Sequence, residues 1–371
     1  SFYSYRGAVA LAELEPGTVL DTRITTYHLV GIPTPVTAVQ LLYRTTDARY
    51  RPSANVTSIL LPPGGVDPAR AVAYQSFYDS LNPLDNPSRM IARNQTLGGL
   101  VSTFETTVIA PSLLNGHTVV LADIQGKDAN FAAGPGYGAA VLDSLRAATA
   151  SPATPITEYS PIGLFGYSGG AMATAWAAAL ASKYAPELDI VGSAYGGTPM
   201  DLAWMAESLG YEPHPVFGLA MAAALGLERE YPERMPVTEQ LNARGLEVRD
   251  QIANGCTNEI LRGGTGLSAP MVASTLSLAE DPVTREILNE NSLVHYRDSV
   301  PNAPVFEWHS PTDALVSVPA IESTNRRYCD AGVPVTSLET PTPDHLSAAV
   351  LGLPAALDFL DARFAGVPAG S

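Results

Sequence analysis

Ser168 lies in the pattern Gly-x-Ser-x-Gly, which is formed by residues 166–170. A serine hydroxyl is a weak nucleophile, and it becomes reactive when a histidine takes its proton and a carboxylate orients that histidine. Residues 161–165 are apolar and predict a buried strand, whereas residues 171–180 are rich in alanine and predict a helix. A serine on the tight turn between such a strand and helix points out of the sheet, as a nucleophile must.

The same turn would supply a hydrogen-bond donor for a negatively charged oxygen formed during the reaction. The backbone N–H of Gly169 is the expected first donor, because it follows the nucleophile and opens the helix. The second donor should come from the loop after an earlier strand, such as Gln75-Ser76. The turn at residues 62–65 resembles a glycine-rich donor loop only weakly and is explained equally well as a plain turn.

His345 is the predicted general base. It follows the last predicted strand and precedes the last predicted helix, where the base belongs in the chain order serine, acid, histidine. His309 ends the preceding strand and is expected to support structure, while His295 lies in or near a helical block.

Asp313 is the predicted acid that orients the histidine. It lies on a turn after the penultimate predicted strand, in the sequence Ser-Pro-Thr-Asp-Ala. Asp344 is adjacent to His345, and consecutive side chains rarely face each other, so we expect it to be a solvated carboxylate. Asp330 ends a helix near Cys329 and is expected to be exposed as well.

Composition restricts the classes of partner. The 371-residue chain has a net charge of −16 and a pI near 4.7, which disfavours nucleic acid and anionic membranes as partners. It has no uninterrupted run of 18 apolar residues, so we expect no transmembrane segment. It also contains no phosphate-binding loop, dinucleotide fingerprint or metal-ligand spacing, and we expect no cofactor and no metal.

The order of predicted elements indicates an α/β-hydrolase fold with a mostly parallel central sheet and an inserted helical cap. Strand-like segments alternate with helical ones up to about residue 199, which favours parallel pairing. Residues 200–300 are mostly helical in pattern, and strands return from residue 301 to 371. We therefore predict a hydrolase core in two parts, 1–199 and 301–371, with residues 200–300 as a cap over the active-site edge.

One apolar segment of the predicted cap, residues 216–227, is too apolar for a solvated helix. It could simply fill the core of the cap. Alternatively, the small side chains of Ala222, Ala223 and Ala224 could leave room for an acyl chain above Ser168.

Several blocks of the sequence together resemble the secretory lipase family of lipase A-like α/β-hydrolases. The blocks are residues 42–47, 73–79, 166–171, 176–178, 184–188 and 196–199, Trp308-His309 with Asp313, and His345-Leu346. The resemblance covers nearly the whole chain and is weakest from 200 to 300. It implies hydrolysis of acyl esters and a catalytic triad of Ser168, Asp313 and His345.

The resemblance also implies features that residue patterns leave open. It assigns the second oxyanion donor to Asp123 rather than to Gln75-Ser76. Cys256 and Cys329 are the only cysteines and could equally be free thiols, but the resemblance favours a disulfide between them. It implies secretion, which fits a chain that begins at Ser1 rather than at a methionine.

The leading functional prediction is a secreted serine ester hydrolase, a triacylglycerol lipase or carboxylesterase. A short-chain carboxylesterase or a peptidase on the same fold is the enzymatic alternative, although no motif for a charged amino terminus or a proline is visible. A noncatalytic binding protein is the alternative from another class, and it is disfavoured because all three triad positions carry the required residue types.

Overall fold

The computed structural model describes residues 1–65, 69–94, 96–274 and 280–370. Its centre is a sheet with the strand order β1-β2-β3-β5-β4-β6-β7-β8-β9. The strands are β1 (Val19–Leu29), β2 (Ile32–Thr46), β3 (Pro52–Leu60), β4 (Ala71–Gln75), β5 (Thr118–Ala122), β6 (Ile162–Tyr167), β7 (Ile190–Gly196), β8 (Val305–His309) and β9 (Val335–Glu339). The first three strands and β5 pair antiparallel, and all other pairs are parallel.

Thirteen α-helices lie in the described part of the chain. They are α1 (Pro87–Ile91), α2 (Val101–Leu114), α3 (Gly134–Ala150), α4 (Gly169–Tyr184), α5 (Leu202–Gly210), α6 (Phe217–Glu230), α7 (Val237–Gln240), α8 (Ala243–Ile252), α9 (Thr257–Gly264), α10 (Ala269–Val272), α11 (Pro282–Glu290), α12 (Val318–Asp330) and α13 (His345–Phe364). Short 3₁₀ turns occur at Leu11–Glu13, Pro83–Asp85, Leu97–Leu100 and Leu293–His295.

Two helical layers cover the sheet. Side chains of α3, α4 and α12 form one apolar cluster with one face of the strands, and side chains of α2 and α13 form a second cluster with the other face. Every residue of β5, β6 and β8 is buried, as expected for strands covered on both sides. The mixed sheet with helices on both faces confirms the predicted α/β fold class.

Helix boundaries differ from the sequence prediction where capping chemistry intervenes. The sequence pattern predicts one helix over residues 237–252, but the structure splits it into α7 and α8. The break occurs because Asn242 leaves the helical conformation and its side chain accepts a hydrogen bond from Gly245 N–H. The sequence also predicts a helix over residues 138–150, whereas α3 starts at Gly134, since Pro135 fits the first turn of a helix. Helix α2 was not predicted.

The segment between β7 and β8 contains helices α5 to α11, with residues 275–279 of this predicted cap outside the described residues. Two isolated β-bridges, between His214 and Leu267 and between Leu241 and Ala273, link its loops. The division of the chain into core and cap domains at residues 200 and 300 stays a prediction.

The predicted disulfide is not formed. Cys256 is buried at the N-terminus of α9, Cys329 is exposed in the last turn of α12, and both are free thiols. The bridge was wrong because the two helices pack in different places: α9 lies against α6 and α8, whereas α12 lies against β9 and the turn at Leu293–His295.

Two segments, Leu97–Leu114 and His345–Phe364, are long and apolar enough to cross a membrane on length and composition alone. Each buries one side against the sheet, through Val108 and Ile109 in the first and Ala356 and Leu360 in the second. Core helices of globular proteins pass the same length and composition test.

Candidate active site

Ser168 occupies the turn between β6 and α4 with φ 53° and ψ −118°, a conformation that non-glycine residues rarely adopt. Its backbone N–H donates to the carbonyl of Gly196 at 2.9 Å, which fixes the turn to the neighbouring strand β7. A strained residue held by surrounding structure at the end of a central strand is a common feature of catalytic sites.

The small residues of the motif are required by close packing. A Cβ added at Gly170 would overlap the carbonyl oxygen of Gln75, which ends β4. A Cβ added at Gly166 would overlap the carbonyl oxygen of Gly170. The elbow therefore presses directly against the loop that follows β4.

His345 is hydrogen-bonded on both sides of its ring. Its Nε2 lies 2.8 Å from Ser168 Oγ, and its Nδ1 lies 2.5 Å from Asp313 Oδ2. The second oxygen of Asp313 accepts from the N–H groups of Leu315 and Val316 at 2.8 and 3.1 Å, so the carboxylate is held in one orientation. All three predicted triad residues are thus brought together from the ends of three different strands.

The main chain at His345 is fixed independently of its ring. Tyr167 donates a hydrogen bond from its hydroxyl to the His345 carbonyl at 2.5 Å. Asp344 caps the N-terminus of α13 by accepting from Ser347 N–H at 2.8 Å, and these hydrogen bonds hold the pKa of this exposed carboxyl below its ordinary value. The expectation that Asp344 is a solvated carboxylate agrees with this position.

His309, the rejected candidate on β8, is buried in a different polar cluster. Its Nδ1 lies 2.9 Å from Glu307, which raises the pKa of His309 against the opposing effect of burial. Glu307 also accepts from Asn325 and Ser337, so the cluster joins β8 to α12 and β9. His309 therefore supports the strand that leads to Asp313.

Asp123 does not offer a donor to the nucleophile. Its backbone N–H donates to the carbonyl of Val56 at 3.0 Å, and its buried carboxylate accepts from Ser88 N–H and Oγ at 2.9 and 2.6 Å. A buried N–H already bonded to a carbonyl is not free to bind an oxyanion. The assignment of Asp123 to the oxyanion hole is therefore wrong, and Asp123 instead joins β5 to α1.

The loop after β4, which the residue-based argument favoured, lies beside the nucleophile. A Cβ added at Gly169 would overlap Asp79 Oδ1, so Asp79 covers the first residue of α4. Asp79 has φ 37°, and within the described residues neither its N–H nor that of Gly169 donates to a protein acceptor. Two free N–H groups at this position could receive a negatively charged oxygen.

Contacts from two distant helices hold this loop. Glu105 on α2 accepts from Ser76 Oγ at 2.6 Å and from Phe77 N–H at 3.1 Å. Thr257, the first residue of α9, directs its hydroxyl to the carbonyls of Tyr78 and Asp79 at 3.0 and 2.9 Å. The oxyanion loop, residues 76–79, is thus fixed both by the core and by the segment between β7 and β8.

Burial also changes the acidity of the two carboxyls near the loop. It raises the pKa of Asp79 to about 7 and the pKa of Glu105 to about 8, although hydrogen bonds from Ser76 and Phe77 partly offset the shift in Glu105. Asp79 is therefore poised to change its charge near neutral pH, directly beside Gly169.

Helix α6 lines an apolar cavity of about 90 Å³. Ala220, Ala223 and Ala224 face it, together with side chains from α5, α7, α10 and α11. Ala222 is fully buried and is not among the lining residues. Two of the three alanines singled out in the sequence therefore border empty apolar space.

Sequence reasoning missed Asp79, Glu105 and Thr257. A visible signal existed for Glu105, because it is the single charged residue in the apolar stretch 97–114. A lone acid in such a helix is commonly buried with partners. Nothing in the sequence marks the positive φ of Asp79 or the contact of Thr257. Within the described ranges, no group of three or more His, Cys, Asp or Glu residues could hold a metal ion.

The family model described as Secretory lipase matches residues 91–371. Lipase 4 of Candida albicans is 31% identical over 375 residues, which cover 98% of this chain and 81% of that protein. A probable inactive lipase of Mycobacterium tuberculosis is 32% identical over 361 residues, which cover 95% of this chain and 79% of that protein.

Solved structures give the same result for the fold. Candida antarctica lipase A in its closed state matches with a TM-score of 0.91 at 29% identity, over 100% of this chain and 86% of that chain. The rice cell wall degrading esterase LipA of Xanthomonas oryzae matches with a TM-score of 0.68 at 15% identity, over 94% of this chain and 98% of that chain, which supports the fold alone.

Proposed function

Because the chain belongs to the secretory lipase family, we propose that it is a serine hydrolase that cleaves acyl esters through a covalent acyl-enzyme. The observation that carries the proposal is the pair of hydrogen bonds from His345, to Ser168 on one side and to Asp313 on the other. Nucleophile, base and acid in hydrogen-bond contact form the arrangement that serine hydrolysis requires.

In the proposed reaction, Ser168 Oγ attacks the acyl carbon while its proton moves to His345 Nε2. Asp313 accepts a hydrogen bond from Nδ1 and stabilises the imidazolium that forms. The imidazolium then gives the proton to the departing alkoxide, which leaves Ser168 acylated. Water, deprotonated by His345, hydrolyses the acyl-enzyme and restores the serine.

The oxyanion formed in both steps would be bound by the N–H groups of Gly169 and Asp79. Two observations support this pairing: the overlap that any side chain at Gly169 would make with Asp79, and the lack of another acceptor for either N–H among the described residues. Removing one such donor typically costs 10²- to 10³-fold in kcat.

We propose that the acyl chain enters the apolar cavity beside α6. An uncharged chain is favoured there because apolar side chains dominate the lining. Ala223→Phe should therefore lower activity on long-chain p-nitrophenyl esters by about tenfold or more while sparing the acetate, whereas the control Ala243→Phe, at an exposed position on α8, should change neither. An equal loss of activity on esters of all chain lengths in Ala223→Phe would mean that the acyl chain does not enter this cavity.

The decisive experiment combines covalent labelling with a substrate series. A fluorophosphonate probe should label the protein at Ser168 and should fail to label Ser168→Ala. Turnover of p-nitrophenyl esters of graded chain length then separates a lipase from a short-chain esterase, and turnover of matched amides detects a peptidase. A folded protein that neither reacts with the probe nor turns over any ester would be a binding protein, which matters because one relative is described as probably inactive.

Secretion is part of the proposal and rests on the family description. Activity found in the culture medium of cells that express the full natural gene would support it. Activity confined to washed cells would contradict it.

A further inference from the structure

Two of the side chains that line the apolar cavity beside α6 carry hydroxyl groups. Tyr211 directly follows α5, and Thr284 lies in the first turn of α11. Both hydroxyl oxygens are buried, and neither has a hydrogen-bond partner among the residues that the structure describes. The rest of the lining consists of Leu, Met, Ala, Gly, Phe and Val residues, so these two hydroxyls are the polar groups of an otherwise apolar wall.

A buried hydroxyl without a partner lowers the stability of a protein. It has lost its hydrogen bonds to water and gained none, which is why most buried polar side chains are paired. The hydroxyl of Thr284 is not needed to begin α11, because Asp281 caps this helix and accepts from Thr284 N–H at 2.9 Å. A valine would fill the same volume without this cost, so a threonine here is best explained by a ligand that supplies the missing partner.

The two hydroxyls belong to the same end of the helix pair α5 and α11. The first residue of α5 donates its N–H to the hydroxyl of Ser292, which lies after the end of α11, at 2.8 Å. Near the other end of the pair, Arg285 of α11 contacts Glu207 of α5 at 2.7 Å. The helices therefore run antiparallel, and the end of α5 at Tyr211 lies beside the start of α11 at Thr284.

This polar end of the cavity is one helix length from the start of α5. The start is close to the nucleophile along the chain, because residues 197–201 alone separate it from Gly196, whose carbonyl accepts from Ser168 N–H. Helix α5 has nine residues, so its two ends are roughly 12 Å apart at 1.5 Å per residue. An acyl chain that is attached to Ser168 and follows α5 would pass the apolar lining first and reach the hydroxyls with its distal half.

We propose that the cavity selects acyl chains that carry a hydroxyl group in their distal half, with Tyr211 and Thr284 as the specificity-determining residues. The inference rests on the proposed ester hydrolysis and names the substrate class of that same site. Each protein hydroxyl can both donate and accept, so either can bond a hydroxyl on the chain. A plain alkyl chain leaves both protein hydroxyls unpaired, and a site built to bond a substrate hydroxyl discriminates against the analogue that lacks it.

The first test compares plain and hydroxylated chains on the same protein. The substrates are p-nitrophenyl octadecanoate and a series of its monohydroxy derivatives with the hydroxyl at successive carbons, all presented in the same detergent micelles. At the best position in the distal half, kcat/KM should be about tenfold higher than for the plain ester. Equal kcat/KM for the plain ester and for every hydroxylated ester would overturn the inference.

Two conservative variants remove the hydroxyls and keep the size of the side chains. Thr284→Val and Tyr211→Phe should each lower the preference about threefold, and the double variant should abolish it, while kcat/KM for the plain ester stays within twofold. The matched controls are Thr118→Val and Tyr195→Phe, whose buried hydroxyls also lack a partner within the described ranges but do not line the cavity. The controls should retain the full preference, and a preference that survives in the double variant would overturn the assignment.

Thermal melting of Thr284→Val tests the premise that its hydroxyl has no partner in the free protein. The variant should melt at or above the temperature of the unsubstituted protein, because it loses no hydrogen bond and removes an unpaired polar group. A clear fall in melting temperature would show that the hydroxyl is already paired, and the inference would be wrong.

Binding to Ser168→Ala separates this inference from the proposed function. Free hydroxyoctadecanoic acids of the same series, kept below their critical micelle concentration, should displace a bound fluorescent fatty acid at about tenfold lower concentration than octadecanoic acid does. This preference without hydrolysis of any ester by the unsubstituted protein would overturn the proposed function and leave the hydroxyl site standing. Ester hydrolysis without any such preference would overturn the hydroxyl site alone.

Discussion

The two halves of the candidate site are built in different ways. On the nucleophile side, the turn of Ser168 is determined by a pentapeptide and by strand and helix segments directly next to it. On the oxyanion side, the loop 76–79 is held by Glu105, which lies 29 residues from Ser76, and by Thr257, which lies 178 residues from Asp79.

The difference indicates how each half could be altered. The nucleophile turn is encoded mainly by adjacent residues, and its distant contacts are to backbone carbonyls, those of Gly196 and Gln75. A loop held by distant polar contacts depends on both helices that contact it, so its donors could be shifted without touching the triad. The following expected results test this contrast.

The largest effect belongs to the nucleophile half. Ser168→Ala should lower kcat by about 10⁶-fold, and His345→Ala by a similar factor, because the two residues act as one unit. Stopped assays on p-nitrophenyl esters measure the loss, and thermal melting checks that the fold is retained. Residual activity within tenfold of wild type in Ser168→Ala would remove Ser168 as the nucleophile.

Asp313→Asn should lower kcat by roughly 10⁴-fold, since an amide no longer holds the imidazole in the tautomer that accepts the serine proton. The matched control is Asp344→Asn, one residue from the base, which should change kcat less than threefold. If the control were the damaging variant and Asp313→Asn the mild one, the acid would have to be reassigned.

The charge of Asp79 should make the reaction sensitive to pH. Burial raises the pKa of Asp79 to about 7, so the carboxyl is neutral below that pH and becomes an anion beside Gly169 above it. An anion there opposes a developing oxyanion, and kcat should therefore fall by up to tenfold per pH unit above about 7. Asp79→Asn keeps the N–H and should remove this fall; a decline that persists in the variant would assign it to another group.

The same shift predicts a direction for stability. The native state holds a proton on Asp79 between its unfolded pKa, near 4, and about 7, so this group makes the free energy of unfolding decrease as pH rises through that window. Asp79→Asn should flatten the decrease when melting temperature is measured between pH 4 and 8. A steeper decrease in the variant would contradict the assigned pKa.

Thr257→Val should lower kcat about five- to tenfold with little change in KM, because it removes a hydroxyl that donates to the oxyanion loop. Thr118→Val, at the start of β5, is the matched control: within the described residues its buried hydroxyl has no partner, so the change should leave kcat unaltered. Equal kcat in both variants would mean that α9 does not position the loop.

The smallest effect concerns the cysteines. Reductant should leave the melting temperature unchanged, and thiol titration of the unreduced protein should find two thiols after unfolding. Exposed Cys329 should react in the native protein and buried Cys256 only after denaturation. Detection of fewer than two thiols in the denatured protein would mean that Cys256 and Cys329 do form a disulfide.

The sequence predicts best those features that are determined by neighbouring residues. Ser168, Asp313 and His345 could be proposed from the sequence because each follows a strand whose apolar run is visible there, and the structure brings the three side chains into hydrogen-bond contact. The first two strands have a similar signal, because residues 18–30 and 37–46 are rich in Thr, Val, Ile and Leu and indicate strands. Strand β1 agrees closely with this prediction, whereas β2 begins five residues earlier, at Ile32.

The failures all concern contacts between distant segments. Asp123 was carried over by resemblance, whereas the residue beside Gly169 is decided by a positive φ at Asp79 and by packing. The pairing of Cys256 with Cys329 required helix positions that no local pattern contains. Helix α2 was missed because an apolar stretch with a central Pro111 lacks a clear helical period.

The chain order of the triad has a consequence for synthesis on the ribosome. Ser168 and His345 are 177 residues apart, and the base opens α13, the last described helix, which packs on β6, β7 and β8. At roughly 5–20 residues per second, the elbow emerges many seconds before its base. The proposed site therefore cannot be complete until α13 has left the ribosome and docked, so ester cleavage would be acquired in one late step, after α13 emerges, rather than gradually.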